Sequence, residues 1–213
     1  MKNISVIFIW TILLAAVNAS ASEPVLSGSW QQGSVLRGSV ELGSQVEFLG
    51  RNVPVADDGF FVIGLGRDAK PKATLKITSS TGVVIENTYD VIQRDYKMQR
   101  IEGVPQKTVT PAPGYYERIR KEAVLARKAR ADISQRQDYR QTFEWPLLGP
   151  ITGVYGSQRV YNGVPKRPHF GVDVAAPTGT KVRAPISGLV TLAYDDMFFS
   201  GGTLIVDHGH GLS

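Results

Sequence analysis

From about Val25 to Val91 the apolar positions come in short runs cut by Gly, Ser and Asn. Val35-Leu36-Arg37-Gly38-Ser39-Val40, Val46-Glu47-Phe48-Leu49 and Val53-Pro54-Val55 open the series, and Asp58-Gly59 marks a turn before Phe60-Phe61-Val62-Ile63. Thr74-Leu75-Lys76-Ile77-Thr78 alternates with period two, Ser79 to Gly82 turns the chain, and Val83-Val84-Ile85 begins another run. Roughly six short strands at turn-punctuated intervals predict a small antiparallel sandwich-like module over residues 22–95. It contains no His, and its acids sit in turns, which suits a binding, spacing or regulatory role better than catalysis.

The pattern then changes. Residues 96–144 read as a linker and a helix. Val104-Pro105 through Pro111-Ala112-Pro113-Gly114 is proline-rich and extended. Tyr115 to about Gln137 lacks Pro and Gly and is rich in good helix formers. Tyr116, Ile119, Ala123, Ala126 and Ile133 give it a thin apolar stripe, enough to pack lightly against a neighbour. From Trp145-Pro146 onward, residues 145–213 are β-rich again. Strands are predicted at 151–156, 181–184, 188–193 and 203–206, with Asp195-Asp196 and Ser200-Gly201-Gly202 as a turn-rich connection. The fold class is therefore mainly β, with a connecting basic helix between two β-rich parts. Only 68 residues run from Pro146 to Ser213, and a domain that small is marginal without metals or disulfides. A truncated C-terminal domain is the expectation.

Composition sharpens the picture in three places. Lys2, the largely apolar run Ile4 to Val17 and the small residues Ala19-Ser20-Ala21 read as an export signal over residues 1–21, since the run is shorter than the ~20 residues of a spanning helix. The expected address is the periplasm or cell envelope, with no transmembrane anchor after cleavage. Cysteine is absent, so disulfides, thiolate ligands and thiol nucleophiles are excluded. Of the net charge of +5, four come from the stretch Tyr115 to Arg140, where eight basic residues face four acids. Such a segment is a solvated helix face or attracts an anionic polymer or membrane surface. Nucleic acid is not expected, because no aromatic-and-basic binding motif accompanies it.

His169 and Asp173 carry the candidate chemistry. Four residues of straight strand span ~13 Å, too far for both side chains to reach one ion. Gly171, the β-branched Val172 and Val174, and Pro177 argue against a helix. A looped or bulged segment bending at Gly171 is left. Taken alone, the spacing suits either a metal pair or a surface loop in which Asp173 caps a turn.

The surrounding residues are more specific. Trp145-Pro146, Gly149, Gly153-Val154-Tyr155-Gly156, His169-Phe170-Gly171-Val172-Asp173, Ala176-Pro177-Thr178-Gly179-Thr180, Val182, Ala184, Gly188-Leu189-Val190 and Leu204-Ile205-Val206-Asp207-His208-Gly209 follow one another in order. This series resembles the N-terminal half of the lysostaphin-type (LytM, beta-lytic) zinc metallopeptidases, and the export signal, the strand-rich module and the basic helix more loosely resemble envelope members of that family from Gram-negative bacteria. The resemblance implies that His169 and Asp173 are two ligands of a Zn2+ ion. It also implies that the third ligand and the catalytic histidines, in His-x-His and Tyr-x-His-Leu segments, lie beyond Ser213. His208-Gly209-His210 imitates the His-x-His pair, but its glycines and its place after a strand read as a hairpin turn.

By the same resemblance the activity is hydrolysis of peptide cross-links in peptidoglycan. The D-Ala to diaminopimelate bond is the natural candidate, and its carboxylates would meet Arg159, Tyr161 or Asn162 in a loop before the first ligand. Those three residues equally suit turn and packing roles. The 213-residue chain alone is then expected to be inactive. The alternative is a non-catalytic relative that binds the wall or activates other hydrolases. A plain adhesion or transport-associated β module would explain the N-terminal region but not the His169 segment.

Overall fold

Turn-punctuated alternation builds seven strands between Val25 and Asp90 in the computed structural model, which describes residues 23–105 and 110–213. The expected export signal lies outside the described residues. β1 (Val25–Ser27), β2 (Val35–Ser39) and β5 (Phe60–Gly64) form one antiparallel sheet in the order β1-β2-β5. β3 (Gln45–Phe48), β4 (Arg51–Val53), β6 (Lys72–Thr78) and β7 (Val84–Asp90) form a second, in the order β4-β3-β6-β7. The alternating residues of both sheets turn inward to one core of Leu36, Val46, Phe48, Phe61, Ile63, Leu75 and Ile77. Leu36 and Phe61 are fully covered, and burying each such side chain is worth about 1.5–3 kcal/mol. Gly38 stands opposite Phe61 in the β2–β5 register, and a Cβ there would overlap the Phe61 ring. At Asp58-Gly59 the predicted turn is present, with Gly59 at φ +84° and the Phe60 amide donating to Asp58 Oδ1. The sandwich-like module and the mainly β class are thus as the sequence predicts.

Beyond the sandwich, non-local pairing overrides local propensity. β8 (Met98–Ile101), inside the stretch read as linker, runs parallel to β10 (Gln158–Tyr161), with Met98 opposite Gln158 and Ile101 opposite Tyr161. β8 is mostly exposed and polar, so no apolar alternation announces it. After a 3-10 turn at Pro113–Tyr115 comes α1 (Tyr116–Lys128), which stops short of the expected Gln137. Past Ala131 the chain is drawn into pairing with the far C-terminal turn: Ser134 O accepts the His210 amide, and the Tyr139 amide donates to His208 O. Among the described residues no helix is long and apolar enough to cross a membrane.

The C-terminal β-rich part consists of small pieces. β9 (Ile151–Gly153) pairs with β12 (Asp173–Val174), and β10 also carries β11 (Val164–Pro165). β13 (Leu189–Met197) and β14 (Gly201–Asp207) form a long hairpin. Residues 181–184, expected as a strand, are irregular; of them only the Arg183 amide makes a backbone hydrogen bond, to Pro146 O. Asp195 and Asp196, expected in the turn, lie within β13, and the turn falls at residues 198–200. Two contacts from α1 fix that tip: Arg118 holds Asp196, and Glu122 Oε2 accepts the Phe198 amide.

Candidate metal half-site

His169 and Asp173 come together because the chain between them is irregular. Residues 166–172 form no strand, and the backbone bends at Gly171. Nε2 of His169 stands 3.2 Å from Oδ1 of Asp173. Each residue is held at its backbone. The His169 amide donates to Ser157 O at 2.8 Å, and His169 O accepts the Gly156 amide at 2.7 Å. Asp173 opens β12 opposite Gly153 of β9, and a Cβ at Gly153 would run into the Asp173 carboxylate. The glycine keeps that carboxylate room to stand beside His169. The next anchor is the Ala175 amide, which donates to Pro150 O.

The donor atoms suit a shared cation. Nε2 of His169 is shielded from solvent yet has no hydrogen-bond partner, despite its closeness to the carboxylate. Nitrogen and oxygen ligands of a tetrahedral zinc, at about 2.0–2.2 Å from the metal, lie about 3.4 Å from each other. The observed separation is close to that edge. The side chains are 33% and 59% exposed, so the pair lies near the surface although Nε2 itself is covered. Two donors remain a partial ligand set: among the described residues no group of three or more His, Cys, Asp or Glu is placed to hold a metal.

The other two histidines are used elsewhere. His208 and His210 are each 5% exposed, in the turn where Gly209 bridges to Leu212. His208 Nδ1 is 2.7 Å from Ser187 O; since a carbonyl only accepts, Nδ1 carries the proton. His210 Nδ1 lies 3.1 Å from the hydroxyl of the fully buried Tyr139. Burial pushes the His210 imidazole below its usual pKa; the nearby Pro54 carbonyl opposes that shift, and the Arg140 charge adds to it. Gly209 packs so closely on the Arg136 carbonyl that no side chain fits there.

Of the three residues considered for substrate binding, expected in a loop, two lie in a strand instead. Arg159 and Tyr161 belong to β10, and Asn162 takes the tight turn into β11 at φ +49°. Asn162 hydrogen-bonds both the amide and the carbonyl of Val104, so its side chain shapes the junction with the chain leaving β8. Arg159 is exposed and has no acidic partner among the described residues; its Nη1 lies 3.4 Å from the Tyr161 hydroxyl. The positioning roles of Gly153, Gly156 and Ser157 escape a reading based on chemistry-bearing side chains, because two of the three have none. The run Gly153-Val154-Tyr155-Gly156 was the available signal.

Residues 167–213 match the model of peptidase family M23. No curated protein matches the chain.

Proposed function

We propose, from the match of residues 167–213 to peptidase family M23, that the protein serves zinc-dependent hydrolysis of peptide cross-links in peptidoglycan. The observation that carries this reading is the 3.2 Å approach of His169 Nε2 to Asp173 Oδ1 inside the matched segment. A zinc bound there would polarise a scissile carbonyl and lower the pKa of a bound water toward about 7. The chain's own residues contribute position. Ser157 and Gly156 fix the His169 backbone, and Gly153 leaves the Asp173 carboxylate room beside it. Arg159 and Tyr161 on β10 offer a guanidinium and a phenol to the carboxylates of a wall peptide, a role that fits the cell envelope as the site of action.

The second reading is a non-catalytic wall-binding or hydrolase-activating relative, against which the retention of both His169 and Asp173 favours the enzyme. Digestion of purified sacculi, followed by mass spectrometry of the released peptides, separates the two. A form of the protein that supplies a third ligand is expected to convert cross-linked peptides to monomers in a zinc-dependent way, and His169→Ala is expected to abolish this. The 213-residue chain is expected to bind zinc without turnover. Turnover that survives His169→Ala would overturn the metalloendopeptidase reading, and wall binding with zinc but no turnover in any form would leave the second.

A further inference from the structure

We propose that Arg67 and Tyr96, supplied from the N-terminal side of the chain, are positioning residues for the His169 metal ligand. The inference rests on the zinc reading above and adds a part of the molecule that the M23 match at residues 167–213 does not include.

The loop between β9 and β10 holds His169 by two backbone hydrogen bonds, one to Gly156 and one to Ser157. The opposite side of that loop is gripped from outside the C-terminal part. Arg67, in the turn after β5, donates from Nε to Gly156 O at 2.8 Å. Gly156 therefore offers its N–H to His169 and its C=O to Arg67, so one residue links the two. The Arg67 side chain is only 11% exposed, and its guanidinium carbon lies 4.5 Å from the Tyr96 ring centroid. Tyr96 covers Gly156 so closely that a Cβ there would overlap its ring, and Gly156 itself sits at φ +85°.

An aromatic series continues toward the ligand. Tyr96 meets Tyr155 edge-on at 6.4 Å between centroids, and Tyr155 meets Phe170, the residue after His169, at 6.3 Å. Gly33, before β2, leaves room for the Tyr155 ring, since a Cβ there would stand 2.6 Å from it. Directly after the loop, the Gln158 amide donates to Lys97 O, where the β8–β10 pairing begins. Held on one side by a half-buried guanidinium and a ring, the loop has little freedom to carry His169 away from Asp173. Partners that orient a metal ligand typically change affinity by about 10- to 100-fold when removed.

The test uses the full chain with Arg67→Ala, Tyr96→Ala and Tyr96→Phe. Zinc affinity is read by competition with a chromophoric chelator, and exchange of the His169 amide is read by NMR on metal-free protein. Arg67→Ala and Tyr96→Ala are expected to weaken zinc binding about ten-fold and to speed exchange at His169, while amides of β6 keep their protection. Tyr96→Phe is expected to change neither, because the Tyr96 hydroxyl has no hydrogen-bond partner. Arg67→Lys, which keeps the charge but not the Nε–H geometry, replaces Arg67→Ala if that variant loses β6 protection. Unchanged zinc affinity and unchanged His169 exchange in folded variants would overturn the brace. A wild-type chain that binds no zinc, with His169 exchange still faster in the variants, would overturn the zinc reading and leave the brace standing.

Discussion

At Gly153 a hydrogen atom stands where any other residue would put a carbon against the Asp173 carboxylate. The backbone there is an ordinary strand, so alanine suits it conformationally and its one cost is the displacement of the exposed Asp173 side chain. Gly153→Ala is therefore expected to leave the urea midpoint nearly unchanged and to weaken zinc binding about ten-fold by turning Asp173 away. Calorimetric titration with zinc checks this, and undiminished affinity would show that the carboxylate position does not depend on Gly153. The approach of His169 to Asp173 was legible from their spacing and neighbours, as was the bend at Gly171. The clamp of Ser157 and Gly156 on the His169 backbone was not, because backbone hydrogen bonds leave no trace in residue chemistry. His208 and His210 show the converse. Their spacing copies a ligand pair, yet their environment is a packed turn with partners in Ser187 and Tyr139.

Among the elements, α1 and the β13–β14 hairpin illustrate how one buried acid organises its surroundings. Glu122 is the one buried residue of α1. It accepts Arg118 Nε at 2.7 Å and the Phe198 amide at 2.8 Å. Glu122→Ala leaves the Phe198 amide without its acceptor and Arg118 without its helical partner. Faster hydrogen exchange at Phe198 and a lower urea midpoint are expected, with the sandwich strands unaffected; an unchanged Phe198 exchange rate would contradict the anchoring role. Strands of the sandwich were legible because their alternation is local: β6 buries every second residue from Ala73 to Ile77. β8 was invisible for the opposite reason, since its pairing with β10 joins residues far apart in sequence and its side chains remain exposed. The end of α1 was misplaced because Ser134 and Tyr139 find backbone partners in the 207–210 turn, which outweighs their neighbours' helix propensity.

On the scale of the whole molecule, the sandwich meets the segment 139–141 along several polar contacts, and two groups, Asp58 and His210, lower stability as pH falls in separate pH ranges. Arg140 pairs with Asp58 through two hydrogen bonds of 2.7 and 2.6 Å, lies 4.4 Å from the Phe60 ring centroid, and holds the Asp58 carboxyl down to about 2. Arg37 donates to Tyr139 O and Gln141 O from the same side. A carboxyl whose pKa falls on folding contributes fully above its unfolded value, 3.8, and its contribution is lost as pH drops through about 2. His210, pushed down by burial, responds with the same sign in a higher pH range: as for Asp58, the unfolded chain takes up its proton first. Stability should then fall as pH drops below the ordinary histidine value of about 6.5 and level off below the folded pKa. A urea-midpoint series is expected to show both steps. His210→Asn, which tolerates the φ of +51°, should remove the upper one, and Asp58→Asn the lower. Persistence of the upper step in His210→Asn would assign it to another group.

Zinc binding by the chain itself tests the central claim most directly. Equilibrium dialysis with metal analysis, joined to NMR of the histidine ring nitrogens, is expected to show zinc held through His169, with binding lost in His169→Ala and in Asp173→Ala while the fold persists. Zinc retained in the His169→Ala, Asp173→Ala double variant, or bound through His208 or His210 instead, would contradict the account.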